Sequence, residues 1–484
     1  LHLMNEQFRV AQKIGLMFHP DTPIPQDIKA WALSQLHANS PALGISSKFG
    51  KVKPYPKSLE PSLELRVELH RKHRTAREEI DEKFKGDGSP EEKAARNLID
   101  ELYPRPFRMD ELKFAHRNVY GEDQLKLRFM TFWTNHFTMG DANSNSWVIG
   151  HAMDEAILAN LNSSFSEMLY KVTTHPAMLL YLDNHESAGQ NSKYARDKRK
   201  HGGHAGINDN LGRELLELHT VSPAANYTEK DVRSAANVLA GWGTWLNNSD
   251  EDNKNSGARS SNHWDMYKRY WAEPEDQVVL GQYIKLGKGG LRQLTDFLGV
   301  HENTVLHISQ KLSQHFVSDN PSTSDIDYIA NAWRKSNGNL DQVHTAVIER
   351  AIMSKDPKFQ WPITWLFQVI RLSEASYIPG WEGKLWDNES IFEELGQSFF
   401  NNRQPNGYSS HKDEWFSGEM FERRIRFSDA IYKKGNPKFL SAEIMDRIGA
   451  SDATRRLVMS AGNSQRTKFI TLMCSPEIMG LENA

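Results

Sequence analysis

The chain holds one cysteine in 484 residues, Cys474, which excludes an intramolecular disulfide, a thiolate zinc cage and a CxxC redox pair. No run of about 18 apolar residues occurs, so no transmembrane helix is expected. Excess charge of one sign is also missing. The 59 Lys and Arg stand against 62 Asp and Glu, a net charge of −3, and no nucleic-acid or anionic-membrane partner is indicated. The nucleotide loops are absent: Arg292 occupies the third glycine position after Gly287 and Gly289, and no Gly-x-x-x-x-Gly-Lys-Ser/Thr exists. Gly44-Ile45-Ser46-Ser47 runs into Lys48, not the glycine of a nucleophile elbow. His185-Glu186 is no zincin motif, because Gly189 stands where a second histidine is required. Asp250, Asp252 and Asn253 fail the EF-hand spacing at Lys254. The opening LHLMNEQFRVAQ has no apolar core of the signal-peptide kind, so either such a segment was removed or none was present.

Apolar residues are only 38% of the chain, yet 13 Trp, 22 Phe and 14 Tyr supply the large burial units that disordered chains lack. Helical periodicity dominates, broken by short Gly/Pro/Asn clusters, and the expected fold is mainly α: a large helical domain with a small β-hairpin insertion. The expected organisation is an N-terminal helical region at 1–105 and a motif-rich helical core at 106–245. A polar loop and β-hairpin follow at 246–288, then a C-terminal helical region at 289–484 packed on the core. Within the charged helix 60–85, His70 and His73 read as part of a solvated face. The basic stretch 193–206 reads as an exposed loop with His201 and His204 on its surface, and 246–262 reads as a mobile polar loop.

Two helices carry candidate chemistry. Over 122–137, Leu125, Phe129, Phe132 and His136 recur at spacings of four, three and four, so His136 points inward with the aromatics, either as a satisfied core histidine or as a ligand or general base. Over 208–219, NDNLGRELLELH places Asn210, Arg213, Glu214 and Glu217 within one arc of about 100°, hemmed by Leu211, Leu215, Leu218 and Leu216. Paired carboxylates with a nearby arginine suit acid/base or metal chemistry, because like charges raise one pKa while Arg213 lowers its partner's. The plainer alternative is a buried Arg–Glu network that fixes helix packing. His219 falls about 140° away from the glutamates, so a histidine for such a site has to come from elsewhere, with His136 and His175 as candidates. Pro176 opens a new helix after His175. Next, Thr228 with Asp231 forms a capping-box signature, and Val232, Ala235, Ala236, Leu239 and Trp242 form a buried stripe whose alanines call for close approach of a second helix.

The segments FWTNHF (132–137), THPAMLLYLDN (174–184), NDNLGRELLELHTV (208–221) and NYTEKDVRSAANVLAGW (226–242) together resemble the bacterial family catalogued as domain of unknown function 1800. Weaker echoes at KLSQHFVSDNP (311–321) and LGQSFFNNRQPNGY (395–408) extend the resemblance over most of the chain. The resemblance implies a largely helical protein, export to a periplasmic or extracellular location in preference to the cytoplasm, and as partner another exported protein encoded nearby. It places Asn135, His136, His175, Asn208, Asn210, Arg213, Glu214, Glu217, His219 and Trp242 on family motif positions. This chain departs from the pattern twice. The segment 185–207 is longer than the usual connection, and the stretch 271–281 lacks the His-Asp pair that relatives tend to carry before a Leu-Gly.

Two functions compete. The first is an enzyme using Glu214, Glu217, His136 and Arg213 for acid/base or metal-assisted hydrolysis or oxidation, with Asn135, Asn208, Asn210 and Trp242 contacting substrate. A divalent metal, if it is the cofactor, would draw on His136, His175, Glu214 and Glu217. The second is a non-catalytic binding or assembly protein that presents the aromatic hairpin 263–283 with Trp361, Trp365, Trp381 and Trp386 to carbohydrate or a protein partner, although core packing is the plainer expectation for those tryptophans.

Overall fold

The computed structural model describes residues 5–20, 23–38, 46–47, 50–51, 60–247, 263–375 and 391–482. It is mainly helical. The first helices are α1 (Glu6–Ile14), α2 (Ile28–Leu36), α3 (Leu63–Phe84), α4 (Pro90–Leu102), α5 (Phe107–Tyr120) and α6 (Gln124–His136). They are followed by α7 (Ile149–His151), α8 (Phe165–Thr173), α9 (Pro176–Tyr181), α10 (Lys193–Lys200), α11 (Asn210–Glu217) and α12 (Glu229–Leu239). Further helices include Gly290–Val300, Glu302–Phe316, Thr323–Ser336, Leu340–Met353 and Pro362–Ser373. Strands are short and antiparallel: β1 (Ser46–Ser47) with β2 (Gly50–Lys51), β3 (Trp242–Gly243) with β4 (Met266–Tyr267), and β5 (Gln277–Val279) with β6 (Gln282–Ile284). The last pair is the hairpin expected within 246–288. Residues 248–262, most of the expected polar loop, lie outside the described residues, as do Trp381 and Trp386.

One apolar cluster runs from Phe8 to Met479, with Trp133, Trp147, Trp242, Trp333 and Trp365 among its largest members. Trp361 and Trp365 are therefore core residues. Helix α6 lies at the centre. The spacing suggested one inward stripe, but every residue of α6 except Lys126 is buried, because α1, α2 and α5 cover its other faces. Even Arg128 is enclosed, and its guanidinium donates to the carbonyls of Gln12 (3.0 Å) and Gly15 (2.7 Å) at the end of α1, which lack intrahelical donors.

The capping box at Thr228 and Asp231 forms as read from the sequence. The close approach implied by the alanines of α12 is to α11, where a Cβ on Gly212 would stand 2.8 Å from the Ala236 nitrogen. Two local expectations fail. His70 is buried against the Trp147 ring, with centroids 5.2 Å apart, and bonds Asn247, while His73 pairs with Asp100. The basic stretch 193–206 contains α10 rather than being loop throughout, because Ser192 caps it at the Ala195 nitrogen and Tyr194 stacks on Trp271.

Candidate functional site

Segments far apart in sequence meet around the C-terminal end of α6. Asn135 clamps the 395–408 segment: its amide nitrogen donates to the Tyr408 carbonyl (2.9 Å), and its oxygen accepts from the Tyr408 nitrogen (2.8 Å). The Tyr181 hydroxyl, at the end of α9, donates to the Asn402 carbonyl (3.1 Å), and the Asp141 nitrogen donates to Asn401 (3.2 Å). Lys311, on helix Glu302–Phe316, donates to His136 Nδ1 (2.9 Å), and His136 Nε2 donates to the His219 carbonyl (3.1 Å). The motif-bearing stretches around 135, 181, 219, 311 and 402 thus form one neighbourhood.

The ridge of α11 forms with the predicted arc, but its partners differ from both readings of the sequence. Arg213 turns away from the glutamates to the next helix, donating to both carboxylate oxygens of Glu229 (3.0 and 2.9 Å) and lying 3.4 Å from Asp209. The pair reaches solvent, with side-chain exposures of 35% for Arg213 and 79% for Glu229, so no buried Arg–Glu network exists here. Glu214 and Glu217 are half-buried. Burial and the adjacent Glu217 charge push the Glu214 carboxyl upward against a smaller downward pull from Arg213. Glu217 accepts the Tyr227 hydroxyl (3.2 Å). Tyr181, raised to about 12 mainly by burial, also senses the charge of Glu214 and so flanks the ridge on the other side. Asn210 is exposed, and its nitrogen donates to Asn208 Oδ1 (3.0 Å) in an Asx turn that starts the helix.

Below the ridge, α11 stops at Glu217. The His219 nitrogen bonds the Glu214 carbonyl (3.0 Å) over five residues, which widens the last turn and swings the His219 ring inward against Phe137. The carbonyls of Leu218 and His219, orphaned at a helix end, are taken by imidazoles: His307 Nε2 lies 3.3 Å from the first and His136 Nε2 3.1 Å from the second. A carbonyl only accepts, so His136 carries its proton on Nε2 and offers its Nδ1 lone pair to Lys311. Burial and the Lys311 charge hold His136 well below the ordinary histidine range. His136 therefore faces Lys311 and the end of α11, not the glutamates.

His175 is placed elsewhere. Its Nδ1 accepts the Ala177 nitrogen (3.0 Å) as the N-cap of α9, and its Nε2 contacts His151 Nδ1 (3.0 Å) beneath the Trp264 ring. Both nitrogens are engaged, and among the described residues no group of three or more His, Cys, Asp or Glu side chains stands where it could hold a metal ion. Trp242 is fully buried between Tyr170 and Tyr267, and its carbonyl accepts Asn184 (2.9 Å). It is a packing residue.

Lys311, His307, Tyr181, Tyr227 and Glu229 escaped the sequence reading. For the first two a signal existed: His307, Lys311 and His315 recur at i, i+4 and i+8, which sets all three on one helical face. Over residues 24–479 the chain matches the family described as protein of unknown function (DUF1800), and it belongs to that family. No curated protein and no solved structure matches it. Among the described residues no helix is long and apolar enough to cross a membrane.

Proposed function

We propose that the protein is an acid–base enzyme working at the solvent-facing pair Glu214 and Glu217, in a hydrolytic reaction with Glu214 as proton donor and Glu217 as acceptor. The observation that carries this reading is the unequal setting of two neighbouring carboxyls. Glu214 is half-buried and pushed upward, while Glu217 accepts a tyrosine hydroxyl. Arg213 is drawn off to Glu229, so it organises the rim of the site instead of neutralising either acid. Tyr181 and Tyr227 supply polar walls on either side. In this scheme Asn135 and Trp242 hold the scaffold, and Asn208 and Asn210 set the start of α11.

The test combines a spectroscopic and a catalytic measurement. Carbon NMR of the Glu214 carboxyl should give a midpoint above the usual glutamate value of about 4.3. A panel of chromogenic esters, phosphates and glycosides should reveal a hydrolysis with a bell-shaped pH profile, lowered on the order of a hundredfold or more in Glu214→Gln and in Glu217→Gln. An ordinary Glu214 midpoint, or variants that turn over the same substrate at the original rate, refutes the assignment.

A further inference from the structure

The overall charge of −3 conceals a local excess of the opposite sign. Between Lys193 and His204 five Lys or Arg stand against one acid, and Lys193, Arg196, Lys198, Arg199 and Lys200 are all exposed on α10. Other surface helices of the chain neutralise their cations at i,i+4, as in Lys72 with Glu68, Arg423 with Glu419 and Lys433 with Asp429. On α10 the one carboxylate, Asp197, accepts the Tyr270 hydroxyl and lies 3.6 Å from Lys200. Among the described residues Lys193, Arg196, Lys198 and Arg199 form no ion pair. Arg269, also exposed and also without an ion pair there, precedes Tyr270, whose carbonyl accepts the Tyr194 nitrogen (3.0 Å), and so extends the same basic surface. The surface is held firmly from beneath: Ser192 caps the helix, Tyr194 stacks on Trp271, and the Lys193 amine lies over the Tyr270 ring, 5.4 Å from its centroid.

Like charges concentrated on one fixed face repel one another, and an anionic partner relieves that repulsion. Lys193, Arg196 and Lys200 recur at i, i+3 and i+7 and form one line about 10 Å long, with Lys198 and Arg199 on its flanks. The cations thus spread over a convex arc. A plane of negative charge meets such an arc, whereas an extended polyanion strand is held in a groove. We propose that α10 and Arg269 dock the protein on the anionic surface of a lipid bilayer. Tyr270, 39% exposed beside Lys193, stands where an aromatic ring sits at headgroup level. The outer face of α10 carries no large exposed apolar residue, so the contact is peripheral and electrostatic, without insertion into the acyl region, and it is screened by salt.

The full-length protein would be sedimented with vesicles of phosphatidylcholine alone and with vesicles containing about 30% phosphatidylglycerol. Binding is expected to the anionic vesicles only, and it should disappear as salt rises from about 0.05 M to about 0.5 M. Lys193→Gln/Arg196→Gln/Lys200→Gln should weaken partitioning on the order of a hundredfold, the sum of three interfacial charges. Lys72→Gln/Arg423→Gln/Lys433→Gln removes as many exposed cations from paired positions elsewhere and should bind as the unaltered protein does. Unaltered protein that sediments no better with anionic than with neutral vesicles overturns the proposal, a result that does not depend on any variant folding. Equal losses in the two triple variants show an effect of net charge and overturn the role of α10. Tighter binding to a duplex oligonucleotide than to the anionic vesicles at the same salt assigns the surface to nucleic acid and overturns the bilayer as its partner.

Discussion

Removing the Asn135 side chain tests whether this residue is a clamp or a substrate contact. Its amide closes a two-way bond with the Tyr408 backbone at 2.9 and 2.8 Å, and Gly407 is pressed so close that a Cβ there would lie 2.5 Å from the Asn135 carbonyl. In Asn135→Ala the Tyr408 N–H and C=O both lose their partner in a partly buried setting. At about 1 to 1.5 kcal/mol for each lost bond, the 401–408 segment should be destabilised by about 2 to 3 kcal/mol. Every 1.4 kcal/mol is a factor of ten, so amide hydrogen exchange of this segment should accelerate roughly 30- to 140-fold if it opens locally, with little change in α12. Gly407→Ala should produce the same pattern by a different route, because its φ of 70° and the close approach both penalise a side chain. Protection of 401–408 unchanged in Asn135→Ala, with lost hydrolysis as the only effect, would refute the clamp and return Asn135 to the substrate site.

Three further outcomes follow from buried polar groups. His175→Ala removes the cap of α9 and leaves His151 without its 3.0 Å partner, so a loss of about 2 kcal/mol or more is expected in a denaturant melt, and His175→Asn, which restores a capping oxygen, should recover part of it. Burial holds His136 and His175 far below the ordinary value and His219 and His344 at about 3, so the unfolded chain binds protons that the fold refuses once the pH drops beneath about 6.5. Their stability is therefore fully present above that pH and is lost as the pH falls. His219 and His344 should each contribute about 2 kcal/mol of destabilisation between pH 6.5 and 5, and a melting temperature flat across that window would contradict their burial. Asp110→Asn breaks a bidentate pair with Arg66 at 2.7 and 2.8 Å, both side chains enclosed, and the stranded guanidinium should cost about 3 to 5 kcal/mol, read as an equilibrium midpoint shift that Asp110→Asn/Arg66→Met partly reverses.

What the sequence disclosed was what depends on near neighbours along the chain. The Thr228–Asp231 box, Pro176 at a helix start, the arc of Glu214 and Glu217, and the small face of α12 all follow from spacings of three or four residues. The charge partners did not follow, because they are chosen by packing. Arg213 had Glu217 four residues ahead, yet it bonds Glu229, sixteen residues on, because the docking of α12 puts that carboxylate across the groove. Lys311 and His136 are 175 residues apart, and neither carries a local sign of the other. The same limit explains α6. A stripe predicts one buried face, and only the tertiary fold decides that three other helices cover the rest.

The segments 185–207 and 271–281 pack together as a single unit. The Gly189 nitrogen donates to the Trp271 carbonyl (2.8 Å), the Tyr194 nitrogen to the Tyr270 carbonyl (3.0 Å), and the Tyr194 and Trp271 rings stack at 4.1 Å. Glu273, buried at 3% exposure, accepts both the backbone and the side-chain nitrogen of Asn191 at 3.1 Å. A Cβ on Gly189 would stand 2.6 Å from the Glu273 backbone, so the chain passes this point only as glycine. Lys268 completes the unit between the Trp245 and Trp271 rings, 4.4 and 4.1 Å from their centroids, with its amine on the His185 carbonyl. Each segment depends on the other: 185–207 supplies Asn191, which satisfies Glu273, and 271–281 supplies the Trp271 ring on which Tyr194 rests. The carboxylate of Glu273 is engaged by Asn191, whereas Glu214 and Glu217 on α11 keep a face to solvent.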